Sequence, residues 1–494
     1  MKTELFDDFR AAIFCTGKYI IHQSQEIMKN IQFRFIVLCI ILFWGWGCQA
    51  QTEPAIEGPS GIGDSYYPQM GNGGYDIQSY KIALDVDPLP NTLRGSTTIV
   101  ANATERLRSF NLDFHALTVD SVLVDNIIAE FSRDGDEMKV VPSSTLESDR
   151  AFTVVVNYHG TPELITFDAF PIEMGWSHAQ DGTINVWGEP NAASTWFPNN
   201  NHPRDKAPYR FEITVPKPWM VAASGSLKET KDNGDKTLYV WEMEQPMASY
   251  LASINIDQYE LFEQTGPNGM KIRNYFPPDY PASLRIGYNI LPDAIDFFDD
   301  LFGPYPFNEY GVVISDNTSP CNVVDTALEV QSLSIHCPSE VMASERVIIH
   351  ELGHQWFGDS ISLENWKDIW LKEGLAVYSE WLWESRNDPA ALARIAKSHR
   401  SGFFDSAASV GEPPPDGLYS IESYTGGALV FEALRLEVGH ETFINILKTY
   451  AERYRYGIAG TDEFMALAEE VSGQDLDAFF DRWLFSPKMP ELPN

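Results

Sequence analysis

Two histidines one helical turn apart are the residues of this sequence best suited to chemistry, at His350-Glu351-Leu352-Gly353-His354. Their segment has helical apolar spacing, and imidazoles at positions i and i+4 lie on one helix face, close enough to share a small cation. Neutral imidazole nitrogen is a good zinc ligand. Glu351 points toward the same edge, where its carboxylate can take a proton from a metal-activated water. The pattern predicts a metal-dependent hydrolytic centre.

A second acidic residue completes the ligand set. Eighteen residues lie between His354 and Glu373, which opens the next predicted helix. A helix–loop–helix hairpin can bring this carboxylate to the imidazoles, and two histidines with one glutamate leave the fourth tetrahedral position open for water. We therefore predict one catalytic zinc ion. Asp359 and Asp368 are candidates for orienting a ligating imidazole, although helix caps and surface charges explain them equally well.

The surrounding text, HELGHQWFGDSISLENWKDIWLKEGLAVYSEWLW, resembles the aminopeptidase N family of gluzincin zinc metallopeptidases. Residues 75–86 are similar to the first strand of that family, residues 196–207 to a motif of its central β domain, and residues 249–252 to the end of that domain. The resemblance covers residues 75–494. It implies a multidomain fold, with an N-terminal antiparallel β-saddle domain followed by a thermolysin-like α+β catalytic domain.

The resemblance also implies roles for individual residues. It assigns Zn²⁺ to His350, His354 and Glu373, and it makes Glu351 the general base. Tyr424, in Ser-Tyr-Thr-Gly-Gly-Ala-Leu, is similar to the tyrosine of a Tyr-x-x-Gly-Ala motif whose hydroxyl stabilises the tetrahedral oxyanion. The alternative is that Tyr424 is an ordinary core tyrosine.

The family binds the free amine of its substrate with two side chains. Glu329, in Thr-Ala-Leu-Glu-Val, resembles the glutamate of a Gly-x-Met-Glu-Asn strand, although its neighbours differ from that motif. Glu189, in Glu-Pro-Asn-Ala-Ala, resembles the first residue of an x-Pro-x-x-Ala motif. Two carboxylates facing one ammonium make charge-assisted hydrogen bonds, so the implied substrates are peptides with a free N-terminus. Otherwise, both glutamates are surface carboxylates without a shared role.

The function implied is that of a zinc-dependent aminopeptidase, which hydrolyses the N-terminal residue from peptides with a metal-activated water. Two other functions fit the same motif. A thermolysin-type endopeptidase has a similar zinc site but does not require a free amine. A catalytically inactive, lipid-anchored peptide-binding protein keeps the motif without turnover, and it predicts no effect of Glu351→Ala.

The charge of the chain bears on its partners. The 494 residues include 70 acidic and 35 basic side chains, which give a formal charge of −35. Such a surface repels phosphate backbones, so we do not expect a nucleic-acid partner. The aromatic fraction of 13% is too high for a disordered chain. No pattern in the sequence indicates an oligomeric state.

An apolar run at residues 35–47, preceded by basic residues, fits the core of a secretory signal. It leads to Cys48, and a glycine just before a cysteine resembles a bacterial lipoprotein cleavage site. We expect that residues 1–47 are removed and that the exported protein is attached to a membrane only through a lipid on Cys48, on the periplasmic or the outer surface. An uncleaved anchor is the alternative, and translation starts at either Met1 or Met28.

Composition divides the remaining chain into three parts. Residues 48–74 are rich in Gly, Pro and polar side chains, which is typical of a tether. Residues 75–264 have period-two alternation and are predicted to form the β domain. Residues 265–494 have helical spacing and are predicted to form the zinc-peptidase catalytic domain. Because the sequence ends soon after Pro490, we do not expect the large C-terminal helical domain of many relatives.

Cys321 and Cys337 are the cysteines that follow Cys48. In an oxidising compartment they form a natural disulfide pair, whereas two buried free thiols are an equally good interpretation.

Overall fold

The computed structural model describes residues 54–315, 318–403 and 408–493. Ala55–Asn494 form one compact unit. Within the described ranges, no helix combines the length and the apolar content that crossing a membrane requires. The predicted signal region at residues 1–47, the lipid site at Cys48 and the start of the tether lie outside the described residues.

Strands with one buried and one exposed face build the N-terminal half of this unit. In Tyr75–Asp87, Ile82 and Leu84 are buried whereas Lys81 and Asp85 are exposed, as expected for a sheet with one face on the core. We call the sheet that contains this strand the saddle sheet. Its strands, in spatial order, are Ser226–Asp232, Lys236–Ala248, Lys206–Pro216, Tyr75–Asp87, Thr92–Ala103, Arg150–Gly160, Thr118–Val124 and Ile127–Ile128.

Two smaller sheets complete the β domain. One contains, in spatial order, Ile56–Glu57, Leu107–Asp113, Glu137–Val141 and Glu130–Asp134. The other, which we call the inner sheet, contains Ile165–Phe167, Phe170–His178, Ile184–Trp187, Ile254–Asp257 and Met220–Ala223. Glu189 follows two residues after a strand of the inner sheet, so that sheet positions it.

The saddle sheet departs from the predicted antiparallel arrangement at one pair of strands. Lys206–Pro216 runs parallel to Tyr75–Asp87, while its other neighbour, Lys236–Ala248, is antiparallel to it. Parallel neighbours cannot be joined by a tight hairpin and need a long crossover connection. Here the connection is residues 88–205, which form several other strands on the way.

The catalytic half combines a mixed sheet with helices. Its sheet contains, in spatial order, Glu260–Thr265, Lys271–Phe276, Glu309–Ile314, Ser334–His336 and Ala327–Leu328, and a small parallel pair is formed by Ser362–Leu363 and Ile458–Ala459. The α-helices are Ala282–Arg285, Leu291–Phe302, Glu345–His354, Trp370–Glu384, Pro389–Gly402, Gly427–Val438, His440–Arg453, Thr461–Ser472 and Asp477–Leu484. We call Glu345–His354 the histidine helix and Trp370–Glu384 the glutamate helix.

The boundary between the two halves lies earlier than the predicted break at residues 264 and 265. Glu260–Thr265 pairs antiparallel with Lys271–Phe276, so it is the first strand of the catalytic sheet. The Gly- and Pro-containing stretch between these strands is therefore a hairpin turn and not an interdomain linker. Turn residues mark both kinds of connection, and composition alone does not separate them.

The tether predicted for residues 48–74 is corrected for residues 55–74, which pack against the fold. The buried carboxylate of Asp64 lies 3.1 Å from His202 Nε2 and accepts a hydrogen bond from the backbone N–H of Trp366 at 2.8 Å. Met70 is also buried and its sulfur accepts the indole N–H of Trp366. This segment thus contacts both halves of the unit, because its few large side chains find buried partners that its Gly- and Pro-rich composition does not indicate.

Cys321 and Cys337 form a disulfide, which selects one of the two interpretations left open by the sequence. The bridge closes a segment that contains the edge strand Ala327–Leu328 and the residue after it, Glu329. The segment that carries one of the predicted substrate-binding glutamates is therefore covalently closed at its ends.

Candidate metal centre and active site

The histidine helix presents both imidazoles to one point. The Nε2 atoms of His350 and His354 lie 3.2 Å apart. Each ring is oriented through its other nitrogen: Nδ1 of His350 lies 2.7 Å from a carboxylate oxygen of Glu380, and Nδ1 of His354 lies 3.2 Å from the backbone oxygen of Phe357. Such partners fix the tautomer that leaves Nε2 free to bind a metal.

Close packing of two helices brings Glu373 to the imidazoles. A Cβ atom on Gly353 of the histidine helix would lie 2.9 Å from Ser379 Oγ of the glutamate helix, so glycine permits this approach. Elsewhere, the glutamate helix meets the helix Gly427–Val438 at Gly374, where a Cβ would lie 2.7 Å from a backbone carbon of Gly427. Small residues at both contacts therefore set the position of Glu373.

Three ligand atoms form a nearly equilateral triangle. Oε2 of Glu373 lies 3.4 Å from His350 Nε2 and 3.5 Å from His354 Nε2. Ligands bound at about 2.0 Å and at tetrahedral angles to zinc lie roughly 3.3 Å apart, so the triangle has the size that zinc requires. Oε2 of Glu373 is also buried without a hydrogen-bond partner among the described residues. Both observations fit a zinc site.

Glu351 lies beside this triangle in a cavity of about 370 Å³. A carboxylate oxygen of Glu351, a carboxylate oxygen of Glu329 and an imidazole nitrogen of His354 lie within 4.8 Å of one another. Burial raises the pKa of Glu351 to about 8. A carboxyl group with a pKa near neutrality can both accept and return a proton, as the predicted general base must.

Tyr424 lies on a π-helical turn, Glu422–Gly426, which precedes the helix Gly427–Val438. Such turns are rare and frequently occur at functional sites. The phenol ring stacks on the His350 ring, with centroids 6.0 Å apart and an interplanar angle of 9°. Burial raises the pKa of Tyr424 well above its usual value, so the hydroxyl keeps its proton and can donate a hydrogen bond into the cavity.

Glu189 and Glu329 come together although they belong to different halves of the fold. Both line the cavity, and both accept hydrogen bonds from the ammonium of Lys372, whose Nζ also lies 3.2 Å from Glu373 Oε1. Lys372 is buried and is not among the residues that line the cavity. The sequence-based pairing of the two glutamates is therefore found in the structure, with an unpredicted cation between them.

The charges of this cluster depend on one another. Burial disfavours the ammonium of Lys372, but Glu189 and Glu329 outweigh burial and hold its pKa well above the usual value. Burial and the charge of Glu329 raise the pKa of Glu189 to about 8. Burial also acts against the charged form of Glu329, but Lys372 outweighs it and lowers its pKa. The cluster thus contains a charged lysine, a charged Glu329 and a carboxyl group that titrates near neutrality.

Three residues that the sequence-based argument missed support the predicted ones. Glu380 lies two helical turns after Glu373 on the same helix, a spacing that predicts the same face. Lys372 gave no such signal, because adjacent helical residues diverge. Gln355 donates from Nε2 to the backbone oxygen of Glu329 at 3.3 Å and accepts the N–H of Ser332 at 2.8 Å, and it links the histidine helix to the Glu329 segment.

Neither aspartate proposed as an orienting partner contacts an imidazole. Asp368 accepts hydrogen bonds from the backbone and hydroxyl of Thr461, and so it caps a helix start. The carboxylate oxygens of Asp359 are buried and have no hydrogen-bond partner among the described residues. Glu380 takes the orienting role instead.

Comparison with known proteins places the chain in one family. The peptidase M1 N-terminal domain matches residues 77–251, and the peptidase family M1 domain matches residues 287–483. Human glutamyl aminopeptidase is 25% identical over 332 residues, which are 62% of this chain and 34% of that protein. Aminopeptidase N of Streptomyces lividans is 24% identical over 452 residues, which are 83% of this chain and 50% of that protein. The chain thus spans between a third and a half of the length of these two relatives.

Solved structures of similar length exist. The M1 zinc metallopeptidase of Deinococcus radiodurans superposes with a TM-score of 0.80 at 26% identity, over 88% of this chain and 99% of that one. A mutant of that enzyme was crystallised with a Tyr-Ser-Ala substrate. Both domains and the order in which they occur agree with these matches, and the chain belongs to peptidase family M1.

Proposed function

We propose that the chain is a zinc-dependent aminopeptidase that binds one zinc ion through His350, His354 and Glu373. One observation carries this proposal. Three ligand atoms at tetrahedral spacing share a cavity with two carboxylates, Glu189 and Glu329, that are positioned to bind an ammonium group. An endopeptidase needs the first group of residues but not the second.

The chain's own residues account for the proton transfers of peptide hydrolysis. Zinc, when bound, supplies a Lewis acid that polarises the scissile carbonyl and lowers the pKa of water. Glu351 accepts the proton of the attacking water on a carboxylate oxygen and passes it to the leaving amine. Tyr424 donates its hydroxyl proton as a hydrogen bond to the oxygen on which negative charge develops.

The glutamate pair determines which bond is hydrolysed. Each carboxylate has two oxygens, and Lys372 binds one oxygen of Glu189 and one of Glu329. The remaining oxygens accept hydrogen bonds from the substrate's N-terminal ammonium. Because this ammonium is one residue from the carbonyl at the metal, the bond placed for attack is the first peptide bond.

The direct test compares matched substrates on zinc-loaded protein. We expect kcat/KM for leucine amide to exceed that for N-acetyl-leucine amide by at least about 100-fold, because acetylation removes charge-assisted hydrogen bonds of roughly 1.5–3 kcal/mol each. Glu351→Gln should lower kcat by about 10²–10⁴-fold. Glu340→Gln serves as the control and should leave kcat unchanged, because Glu340 is exposed and lies shortly before Glu351 in the sequence.

The two other functions make different forecasts in the same assay. A thermolysin-type endopeptidase would hydrolyse the acetylated substrate as well as the free amide. A binding protein without turnover would hydrolyse neither and would be indifferent to chelation of zinc. Either result would remove the aminopeptidase proposal.

We also propose that the chain is exported and carries a lipid on Cys48. The apolar run before Cys48 supports this, and so does the Cys321–Cys337 disulfide, because such bonds persist in oxidising compartments. Metabolic labelling with a radioactive fatty acid tests it: the wild type should be labelled and Cys48→Ser should not, whereas equal labelling of both contradicts it.

A further inference from the structure

The chemistry of an N-terminal residue restricts where its side chain can lie. Its α-carbon is bonded both to the ammonium nitrogen and to the carbonyl carbon of the scissile bond. Under the proposed function, Glu189 and Glu329 bind the ammonium, and Tyr424 lies at the carbonyl oxygen. The side chain must therefore enter a space that has an amine-binding glutamate on one side and Tyr424 on the other.

The structure contains a small cavity with these neighbours. It has a volume of about 60 Å³, and Glu189 and Tyr424 both line it. Apolar and aromatic residues form most of its remaining wall: Phe170, Met174, Trp187, Leu328 and Tyr419. We call this cavity the side-chain niche. It adjoins the larger cavity at the metal, because Glu189 and Tyr424 line both.

Rigid elements hold the wall of the niche. Phe170 and Met174 lie on one strand of the inner sheet, and Trp187 ends the next strand. Trp187 is fully buried and Met174 is 6% exposed. The rings of Phe170 and Tyr419 pack edge to face, with centroids 5.6 Å apart. A wall built in this way changes shape little on binding, because well-packed interiors resist deformation.

The opposite wall comes from the segment that carries Glu329. Ala327 and Leu328 line the niche and form the edge strand that immediately precedes Glu329. The same short segment therefore contributes to the binding of the ammonium and to the shape of the side-chain site. Ala327 presents only a methyl group there and is partly exposed, so a larger residue would occupy the niche without entering the core.

Size and polarity together define what the niche accepts. A cavity of about 150 Å³ is known to bind benzene, so a niche of about 60 Å³ is too small for an aromatic ring. Glu189 is the acidic side chain in its lining and is already bonded to Lys372. A charged substrate side chain would lose its hydration there, and the residues that line the niche offer it no free counter-charge, which is costly.

We propose that the side-chain niche binds the side chain of the substrate's N-terminal residue, that it selects compact uncharged aliphatic side chains, and that Met174 and Ala327 set its size. This inference rests on the proposed aminopeptidase function. The niche would determine which N-terminal residues this peptidase removes, which the zinc site alone does not determine.

The test measures kcat/KM of zinc-loaded wild-type protein on the amides of alanine, leucine, phenylalanine, glutamate and arginine. We expect the alanine and leucine amides to exceed the other three by at least tenfold, a range that hydrophobic pockets achieve. Met174→Ala enlarges the niche and should raise the ratio of phenylalanine to alanine amide at least tenfold. Ala327→Leu fills it and should lower kcat/KM for leucine amide at least tenfold, with less than a threefold loss for alanine amide.

Met220→Ala is the matched control. Met220 lies on the opposite edge strand of the inner sheet, is partly buried and does not line the niche, so its truncation should leave both ratios within twofold. A wild-type preference for phenylalanine, glutamate or arginine amide overturns the niche proposal, and so do variants that change all amides equally. Hydrolysis of none of the five amides by the wild type overturns the aminopeptidase function and the niche together, and so the two failures are distinguishable.

Discussion

At the level of single residues, two carboxylates that bind one ammonium lie close together and repel each other. Lys372 offsets this repulsion between Glu189 and Glu329. Its ammonium binds Glu189 and Glu329, which line the cavity, whereas Lys372 itself is not part of the lining. Without the lysine, the glutamates would be an uncompensated buried pair, and one of them would take up a proton or the two would separate. A geometry suited to the substrate's ammonium therefore exists before the substrate binds.

We predict that Lys372→Met destabilises the protein strongly. Removal of one member of a buried ionic cluster leaves the other charges unpaired and typically costs about 3–5 kcal/mol. Chemical denaturation should show a decrease of that size in the free energy of unfolding. Lys367→Met, at a partly exposed lysine on the preceding turn, should change it by less than about 0.5 kcal/mol. Equal stability of the two variants would contradict the role assigned to Lys372.

Zinc affinity should depend on the residue that orients His350. We predict that Glu380→Ala weakens zinc binding about 10–100-fold, because loss of a partner that orients a ligating imidazole has effects of this size. Competition with a coloured chelator measures the dissociation constant without using activity. Glu384→Ala alters an exposed glutamate at the end of the same helix and should leave the constant unchanged. If both variants bind zinc like the wild type, Glu380 does not hold the imidazole.

Spacing made part of this site predictable. His350, His354 and Glu373 follow from helical periodicity and a known separation, because the ligands of one ion must lie on facing surfaces of neighbouring helices. The contacts of Lys372 were not predictable in this way. They depend on Glu189 and Glu329, which come from distant parts of the chain, and only the folded arrangement brings them together.

Between secondary-structure elements, glycines determine how closely the helices around the metal approach. Gly353 faces Ser379, and Gly374 faces the backbone of Gly427. A side chain at either place would move the glutamate helix away from a neighbour. Glu373 must bind the same zinc ion as the two imidazoles. A displacement of a few tenths of an ångström is therefore already large compared with the tolerance of metal–ligand distances.

We predict that Gly374→Ala lowers both stability and zinc affinity. Its Cβ would lie 2.7 Å from a backbone carbon, and overpacking of this kind typically costs about 1–3 kcal/mol. Thermal unfolding and zinc titration measure the two effects. Gly402→Ala is the control, since nothing lies within 4 Å of its Cβ position near the end of another helix. That change should be neutral or slightly stabilising. Similar behaviour of the two variants would argue against the close-packing account.

The histidine helix and the glutamate helix were predictable as helices, although Glu373 lies inside the glutamate helix and does not open it. The π-helical turn of Tyr424 was not predictable, because the sequence there has no feature that separates it from an ordinary helix start. Its extra residue places the phenol over the ring of His350. Tyr424 could be named from its motif, but its position depends on this irregular turn.

Over the whole molecule, basic side chains of the β domain hold the catalytic domain by donating hydrogen bonds to its backbone oxygens. Arg204 donates hydrogen bonds to the backbone oxygen of Glu364. Lys206 donates to the backbone oxygens of Asp359, Ser360 and Gly457 at 2.8–3.2 Å. These contacts keep Glu189, on the β domain, at a fixed place relative to the metal ligands. The active site is complete only when these contacts hold the two domains in this relative position.

The domain order was predictable from the change in hydrophobic periodicity, whereas the junctions were not. Residues 55–74 look like a tether because Gly and Pro dominate them, yet Asp64 and Met70 insert into the contact between both halves. Likewise, the predicted β domain contains Glu260–Thr265 except for its last residue, but this strand belongs to the following sheet. Which sheet a strand joins, and whether a segment packs against the fold, depend on contacts between residues that are far apart in the sequence. Local composition contains no information about those contacts.

Buried and partly buried acids in the β domain should make the molecule more stable at mildly acidic pH. Burial raises the pKa of Asp113 to about 7, of Glu137 to about 8 and of Asp205 to about 8. Over the range from about pH 4 to 8, these three groups bind more protons in the folded protein than in the unfolded chain. Their contribution to stability therefore falls as the pH rises through this range.

The measurement is the midpoint of thermal unfolding of zinc-loaded protein at pH 5 and pH 8. We predict a higher midpoint at pH 5, and we predict that Glu137→Gln reduces the difference by roughly 2–4 °C. Glu137 stands opposite Asp113 on a neighbouring strand, so the change also removes a like-charge contact. Glu130→Gln, at an exposed position nearby, should keep the wild-type difference. A midpoint that rises from pH 5 to pH 8 would refute the account of these acids.

The central claim, a single zinc ion held by three side chains with one position left for water, is tested most directly by crystallography at the zinc absorption edge. For zinc-loaded protein, the account predicts one strong anomalous peak at about 2.0–2.2 Å from Nε2 of His350, Nε2 of His354 and the carboxylate of Glu373. It also predicts that no protein atom occupies the fourth position. No peak at this place, or a fourth protein ligand on the ion, would contradict it.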